Sequence, residues 1–156
     1  MSNITKSNHY IVDLEPPDVK ILQYNYFHGV TCWNHNHLSS PFWYLWHNDE
    51  AGAYVIYEKR KIELKPDMTL LMPPNTIFST RSSSMPFNQF YIHFTVRDSF
   101  RQMRREPVVI SAKSLFGPEA GNFFSEIQLC HKNRFLLSAK LYDIVFRSLF
   151  LIPPEC

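Results

Sequence analysis

From Val19 to Phe94 the chain is a succession of short β-prone runs broken by turn residues, with no helical pattern between them. The runs are "VKILQYNYF", "PFWYLWH", "GAYVIYE", "KIELK", "TLLMP", "IFSTR" and "FNQFYIHFTV", each rich in β-branched and aromatic side chains. Breaks fall at "NDEAG", "EKRK", "KPD", "PPN" and "SSSMP", where Gly, Pro, Asn, Asp and Ser supply the special backbone angles that turns require. Seven strands packed so closely in sequence predict a closed antiparallel barrel or a two-sheet jelly roll.

After Pro107 the period changes. "GPEAGNFFSEIQLCHK" and "RFLLSAKLYDIVFRSLFLI" have no proline inside the apolar pattern and repeat at helical spacing. Pro118 marks a start for the first, and Gly121 weakens its early turns. In the second, Phe135, Tyr142, Val145, Leu149 and Ile152 recur at alternating threes and fours, with Ser138 filling one step. Leu136, Leu137, Leu141, Ile144, Phe146, Phe150 and Leu151 add a second apolar face, so only a narrow strip is left for water. Such a helix either packs wholly into its own domain or lends one face to a helix of a second copy. The ending "LIPPEC" stops it with two prolines and reads as the start of an interdomain linker, so the chain is expected to be the front part of something longer.

A chain of 156 residues, 45% hydrophobic, can bury one substantial core and is too short for two ordinary domains. Its three cysteines, Cys32, Cys130 and Cys156, are odd in number and far apart, which fits a reducing compartment. "MSNITKSNHYIVDLEPP" lacks the apolar core of a signal peptide, and nothing approaches the roughly 18 apolar residues of a membrane span, so a soluble cytoplasmic protein is expected. A net charge of +2 is too mild for a nucleic-acid surface, and the one basic cluster, "RDSFRQMRRE", reads as a solvated loop or short helix. With four glycines in all, the chain cannot build a phosphate cradle, and no nucleophile elbow or zinc helix is present.

One pair has metal-like spacing. In a strand, residues two apart share a face, so His35 and His37 of "HNH" could both reach one ion. Together with Gly52 and the later "LKPDMTLLMPPNTIF", they resemble the two halves of the cupin signature, His-x-His with Glu and Gly, then Gly, Pro-x-Gly and His. The chain departs from that pattern at the ligands: the glutamate slot falls near Tyr44 and the final histidine slot on Phe78. Pro-x-Gly reads Pro73-Pro74-Asn75, where Asn can still take a positive φ. The resemblance thus implies the fold without the metal, and no cofactor and no enzymatic activity are expected. The alternative is a metal-dependent cupin enzyme, a sugar isomerase or a dioxygenase.

Without a metal, the interior is aromatic and neutral-polar. Alternation puts Phe42, Tyr44 and Trp46 on one face of their strand, Gln89, Tyr91 and His93 on one face of theirs, and Thr76, Phe78 and Thr80 on another. Turned inward, these sets would wall a small-molecule pocket in which a sugar ring stacks on an aromatic face while its hydroxyls meet polar side chains.

The order of "SPFWYLW", "AGAYVIY", "IELKPDMTLLMPPNTIFST" and "FYIHF", between Trp33 and Thr95, resembles the N-terminal effector-binding and dimerisation domain of AraC/XylS-type transcriptional regulators. The resemblance implies an N-terminal arm over residues 1–18, a cupin-like barrel over 19–110, a helical dimerisation segment over 111–152 and a linker beginning at 153–156. It implies a small effector, often a sugar, bound in the barrel at positions that correspond loosely to His35 or His37, to Phe78 or Thr80 and to Gln89 or Tyr91. With the alternation above, the expected ligand-binding set is His35, His37, Tyr44, Trp46, Phe78, Thr80, Gln89, Tyr91 and His93. It also implies a homodimer through Leu137, Leu141, Tyr142, Val145, Leu149 and Ile152, and DNA binding through a domain outside this chain.

Overall fold

The computed structural model describes residues 18–83, 85–97 and 106–153. The arm expected over residues 1–18 falls, apart from Asp18, outside the described residues, as do most of the basic cluster and residues 154–156.

The strands are β1 (Val19–Val30), β2 (His35–Leu38), β3 (Trp43–Asn48), β4 (Ala53–Tyr57), β5 (Arg60–Leu64), β6 (Met68–Met72), β7 (Phe78–Ser82), β8 (Phe87–Val96) and β9 (Val108–Ser111). They form two antiparallel sheets, one ordered β1-β8-β3-β6-β9 and the other β2-β7-β4-β5. The double-sheet form of the predicted architecture is therefore the one present. Two strands exceed the seven runs read from the sequence. β2 is four mostly polar residues, too short to show alternation, and β9 is a four-residue edge strand at the onset of the helical pattern.

The first sheet is covered on both faces, which is why all six residues of β3 are buried. Trp43 and Leu45, with Phe90, Ile92 and Phe94 of β8, face a core shared with the helices; Tyr44 and Trp46 turn the other way, into the space between the sheets. The period-2 alternation of β strands thus sends neighbouring residues into two different environments. The Pro73-Pro74-Asn75 corner joins β6 to β7; Asn75 has φ 58, and its N–H donates to the Ser40 carbonyl at 2.7 Å. Gly52, with φ 124, lies so close to Ser83 that a Cβ there would come within 2.6 Å of the Ser83 hydroxyl oxygen.

The helices are α1 (Ala112–Phe116), α2 (Phe123–Cys130) and α3 (Arg134–Phe150), with a 3-10 turn over Ala120–Asn122. The first predicted helix is thus shortened at its start, where Gly121 sits in that turn. Asn133 caps α3, its side-chain oxygen accepting from the N–H groups of Phe135 and Leu136, both at 3.1 Å. Across the inner face, Lys140 and Glu126 pair α3 to α2.

The orientation of α3 turns most of the residues expected at a dimer seam toward the chain's own core. Leu137, Leu141, Val145 and Leu149 are buried in the chain's own core with Leu45, Phe94 and Ile127, while Tyr142 and Ile152 are partly buried. Both apolar faces of α3 satisfy a spacing of threes and fours, so periodicity alone did not decide which one the sheet takes. The opposite face carries Phe135, 90% exposed, and Phe150, 87% exposed, with Phe146 between them. Among the described residues no helix is long and apolar enough to cross a membrane.

Candidate functional site

Between the two sheets lies a cavity of about 440 Å³. β3 contributes Tyr44 and Trp46, β8 contributes Gln89, Tyr91 and His93, and β1 contributes Phe27 and Val30. His35 and Leu38 of β2 and the connecting residues Cys32 and Trp33 complete the wall. A wider groove of about 950 Å³ runs beside β5 and β9, but Lys61, Glu63, Lys65, Asp67 and Lys113 line it and no aromatic ring does. Apolar walls with a few convergent polar groups mark a ligand site better than volume does, which favours the cavity between the sheets.

Its aromatic wall is ordered. Tyr44 stacks on Trp46, with centroids 4.8 Å apart and planes 22° from parallel, and Trp33 meets Trp46 edge-on at 5.5 Å. His93 sits among Phe42, Tyr44 and Tyr91, with ring centroids 4.6 to 4.9 Å away. Burial is the cause that lowers its pKa to about 4, so the imidazole is neutral at physiological pH. Burial likewise raises Tyr91 above the ordinary phenol value, keeping its hydroxyl protonated.

The polar groups hold one another in place. The Tyr91 hydroxyl accepts from the Gln23 side-chain amide at 2.8 Å, Tyr44 and Ser40 share a hydroxyl–hydroxyl hydrogen bond, and the Gln89 amide donates to the Asn48 carbonyl oxygen at 3.1 Å. Two polar atoms behind the wall, Asn48 Nδ2 and Thr80 Oγ1, are fully buried and have no partner among the described residues. Buried polar groups are nearly always paired, so these two are an unmet hydrogen-bonding demand beside the cavity.

Six of the nine ligand-binding residues expected from sequence, His35, Tyr44, Trp46, Gln89, Tyr91 and His93, line this cavity. His37, Phe78 and Thr80 do not. In β2, His35 pairs with Thr80 and Leu38 with Phe78, so three steps on one strand oppose two on the other. That bulge carries His37 at φ 51, and Leu38 rather than His37 joins His35 in the wall. The Ser79 hydroxyl accepts from the His37 N–H at 3.1 Å, and Arg81 donates to the His35 carbonyl at 3.0 Å and the Asn36 side chain at 2.6 Å, which pins the bulge to β7. Alternation had put His35 and His37 on one face; the bulge removes that relation. Among the described residues no group of three or more His, Cys, Asp or Glu side chains is placed to hold an ion.

Phe78 and Thr80 point inward but stop short of the cavity. Phe78 is 2% exposed and meets Tyr44 and Trp46 edge-on at 5.5 Å, buttressing the rings that form the wall. Thr80 is fully buried, paired across the sheet with His35 and Val55. Sequence reasoning missed Phe27, Val30, Cys32, Trp33 and Leu38. The alternation of β1 was a usable signal for Phe27. Trp33 had none, since it lies on a connection and is fixed there when its backbone N–H donates to the Ser82 hydroxyl at 2.9 Å.

No family model matches the chain, and no curated protein matches its sequence. Solved structures do match it. Apo ToxT K231A from Vibrio cholerae strain SCE256 is 11% identical with a TM-score of 0.55, over 81% of this chain and 53% of that one. ToxT from Vibrio cholerae O395 is 15% identical with a TM-score of 0.52, over 82% and 52%. The same protein bound to (E)-4-(8-methylnaphthalen-1-yl)but-3-enoic acid is 16% identical with a TM-score of 0.54, over 84% and 55%. The chain spans about half the length of these ToxT chains. At such identity the fold alone is what is shared: two antiparallel sheets followed by helices.

Proposed function

We propose that this chain is the effector-sensing domain of an AraC/XylS-type transcriptional regulator, binding a small molecule between its two sheets. The observation that carries the reading is the cavity itself: about 440 Å³, walled by stacked rings, with the polar groups of Gln89, Tyr91 and His93 converging on it. A carbohydrate suits such a wall, one ring face on Tyr44 or Trp46 and hydroxyls toward the polar side chains. The ligand named for one ToxT structure carries a bicyclic aromatic ring, and a flat ring of that kind meets the same stacking surface here.

Binding becomes a signal only if the ligand prefers one arrangement of the protein over another. In this proposal the arrangements differ at an arm formed by residues 1–18 or at the contact between two copies, and a DNA-binding domain outside residues 1–156 reads the difference. The copies pair through the outer face of α3. Phe135, Phe146 and Phe150, spaced by eleven and four residues, fall on one stripe of the helix, and the first and last are almost wholly exposed.

Calorimetric titration with a panel of sugars and aromatic metabolites, repeated on Tyr44→Ala and Trp46→Ala, tests the site. A binder whose affinity falls in both variants supports it, and unchanged affinity in both removes those residues from the site. For the pairing, Phe135→Asp/Phe150→Asp is expected to halve the mass seen by light scattering while helicity is kept; a mass unchanged by the substitutions removes the stripe from the contact.

A further inference from the structure

The cavity's chemistry narrows the ligand class, an inference that rests on the sensing role proposed above. We propose that the ligand is an uncharged molecule with a flat ring and a hydrogen-bonding substituent, and that the site discriminates against carboxylates, phosphates and amines.

Among the described residues the wall contains no Lys, Arg, Asp or Glu. A carboxylate or ammonium moved from water into a ring-lined cavity loses several kcal/mol of hydration unless an opposite charge meets it. Nothing fixed in this wall does so. Its polar groups are the phenols of Tyr44 and Tyr91, the Gln89 amide, the imidazoles of His35 and His93, the Trp33 and Trp46 indoles and the Cys32 thiol, each able to bond a neutral partner. The Tyr91 hydroxyl accepts from Gln23 and has the Asn25 side chain as a second neighbour, so it is the most occupied of these groups. The Gln89 amide nitrogen is used by Asn48, which leaves its carbonyl oxygen to accept. The His93 ring has aromatic neighbours but no hydrogen-bond partner among the described residues, so one ring nitrogen can donate and the other accept.

His93 is the deeper of the two histidines in the wall. Phe42, Tyr44 and Tyr91 pack around it, with no carboxylate among them, and its low pKa leaves it neutral near pH 7. His35 lies at the exposed rim, where water screens any charge. Behind the wall the unpartnered atoms are again neutral, the Asn48 amide nitrogen bonded through its own oxygen to Gln89, and the Thr80 hydroxyl across from His35. Among the described residues the interior therefore offers ring faces and neutral hydrogen bonds and no counter-charge.

Matched probes test this directly. Naphthalene-1-carboxamide and naphthalene-1-carboxylate have the same ring and nearly the same shape but differ in charge. Trp33 and Trp46, both in the wall, give an intrinsic fluorescence readout, with calorimetry as a second. At neutral pH the amide is expected to bind at least about tenfold more tightly than the acid. Equal or tighter binding of the acid overturns the inference while leaving the cavity a ligand site. Failure of both probes to bind up to their solubility limits also overturns the inference, while the sensing role stands or falls with the sugar panel. His93→Lys, checked for folding by circular dichroism, is expected to shift preference toward the acid by at least about tenfold, with His35→Lys as the rim alternative. An acid affinity unchanged in a folded variant of both kinds overturns the inference as well.

Discussion

The two faces of the first sheet are built from alternate residues of the same strands, yet they do different work. Toward the helices, Leu45, Phe90, Ile92 and Phe94 are fully buried with Val145 and Ile127 in a continuous apolar core. Toward the second sheet, Tyr44, Trp46 and Tyr91 are also buried, but Gln89, His93 and Asn48 stand among them and about 440 Å³ is left open. One face is filled as a core is, and it anchors the other. The second spends close packing on a space with rings, neutral polar groups and two unpaired buried atoms, a pattern that a chain selected for stability alone has no reason to keep.

The sharpest way to break this comparison is to truncate one large ring on each face. Phe94→Ala, on the helix side, is expected to cost about 3–5 kcal/mol in urea unfolding, because the surrounding core cannot collapse around the void. Trp46→Ala, beside the existing cavity, is expected to cost clearly less, since part of its surface already lacks packing partners. Equal losses would mean that both faces are packed alike.

The next effect is a pH dependence shared by the two faces. Burial lowers His93 on the cavity side to about 4, and it lowers His47 on the helix side, where Phe116 and Phe124 flank the ring. The fold keeps both neutral, whereas the unfolded chain protonates them near the ordinary histidine value of roughly 6.5. As pH falls below that value the unfolded state takes up protons first, so the His93 contribution is complete above about pH 6.5 and is lost as pH falls toward about 4, and the His47 contribution declines in the same direction. Urea midpoints measured across this window are expected to decline, with His93→Gln removing up to about one proton of the slope and His47→Gln reducing it in the same direction. A slope unaltered by His93→Gln would place that imidazole in water.

The smallest expected effect is the most diagnostic of the polar interior. Thr80→Val deletes a buried hydroxyl that has no partner among the described residues, and it is expected to leave stability unchanged or raise it by up to about 1 kcal/mol. A loss larger than that would show that the hydroxyl is satisfied.

Much of the fold was legible because it depends on alternation. Tyr44 and Trp46 of β3, and Gln89, Tyr91 and His93 of β8, reach the cavity by the period-2 rule alone. The bulge in β2 broke that rule, and a histidine at positive φ carries no local signal, so His37 was expected in the wall and Leu38 was not. Phe78 was rightly turned inward but wrongly brought to the surface of the space, because sequence gives direction and not depth. α3 is apolar on two faces, and packing against Leu45 and Phe94 of the sheet decides which one is buried. β9 and α1 are too short, at four and five residues, for either period to declare itself.

The central claim is that a small molecule occupies the space between the sheets. Two-dimensional NMR of the labelled domain during titration with the carboxamide probe tests it most directly. The account predicts shifts at the Gln89 side-chain amide, the His93 ring and the indole N–H groups of Trp33 and Trp46, with α3 and the β5–β9 groove unmoved. Shifts confined to Lys61, Lys65 and Lys113 of that groove, with the Trp33 and Trp46 indoles silent, would contradict it.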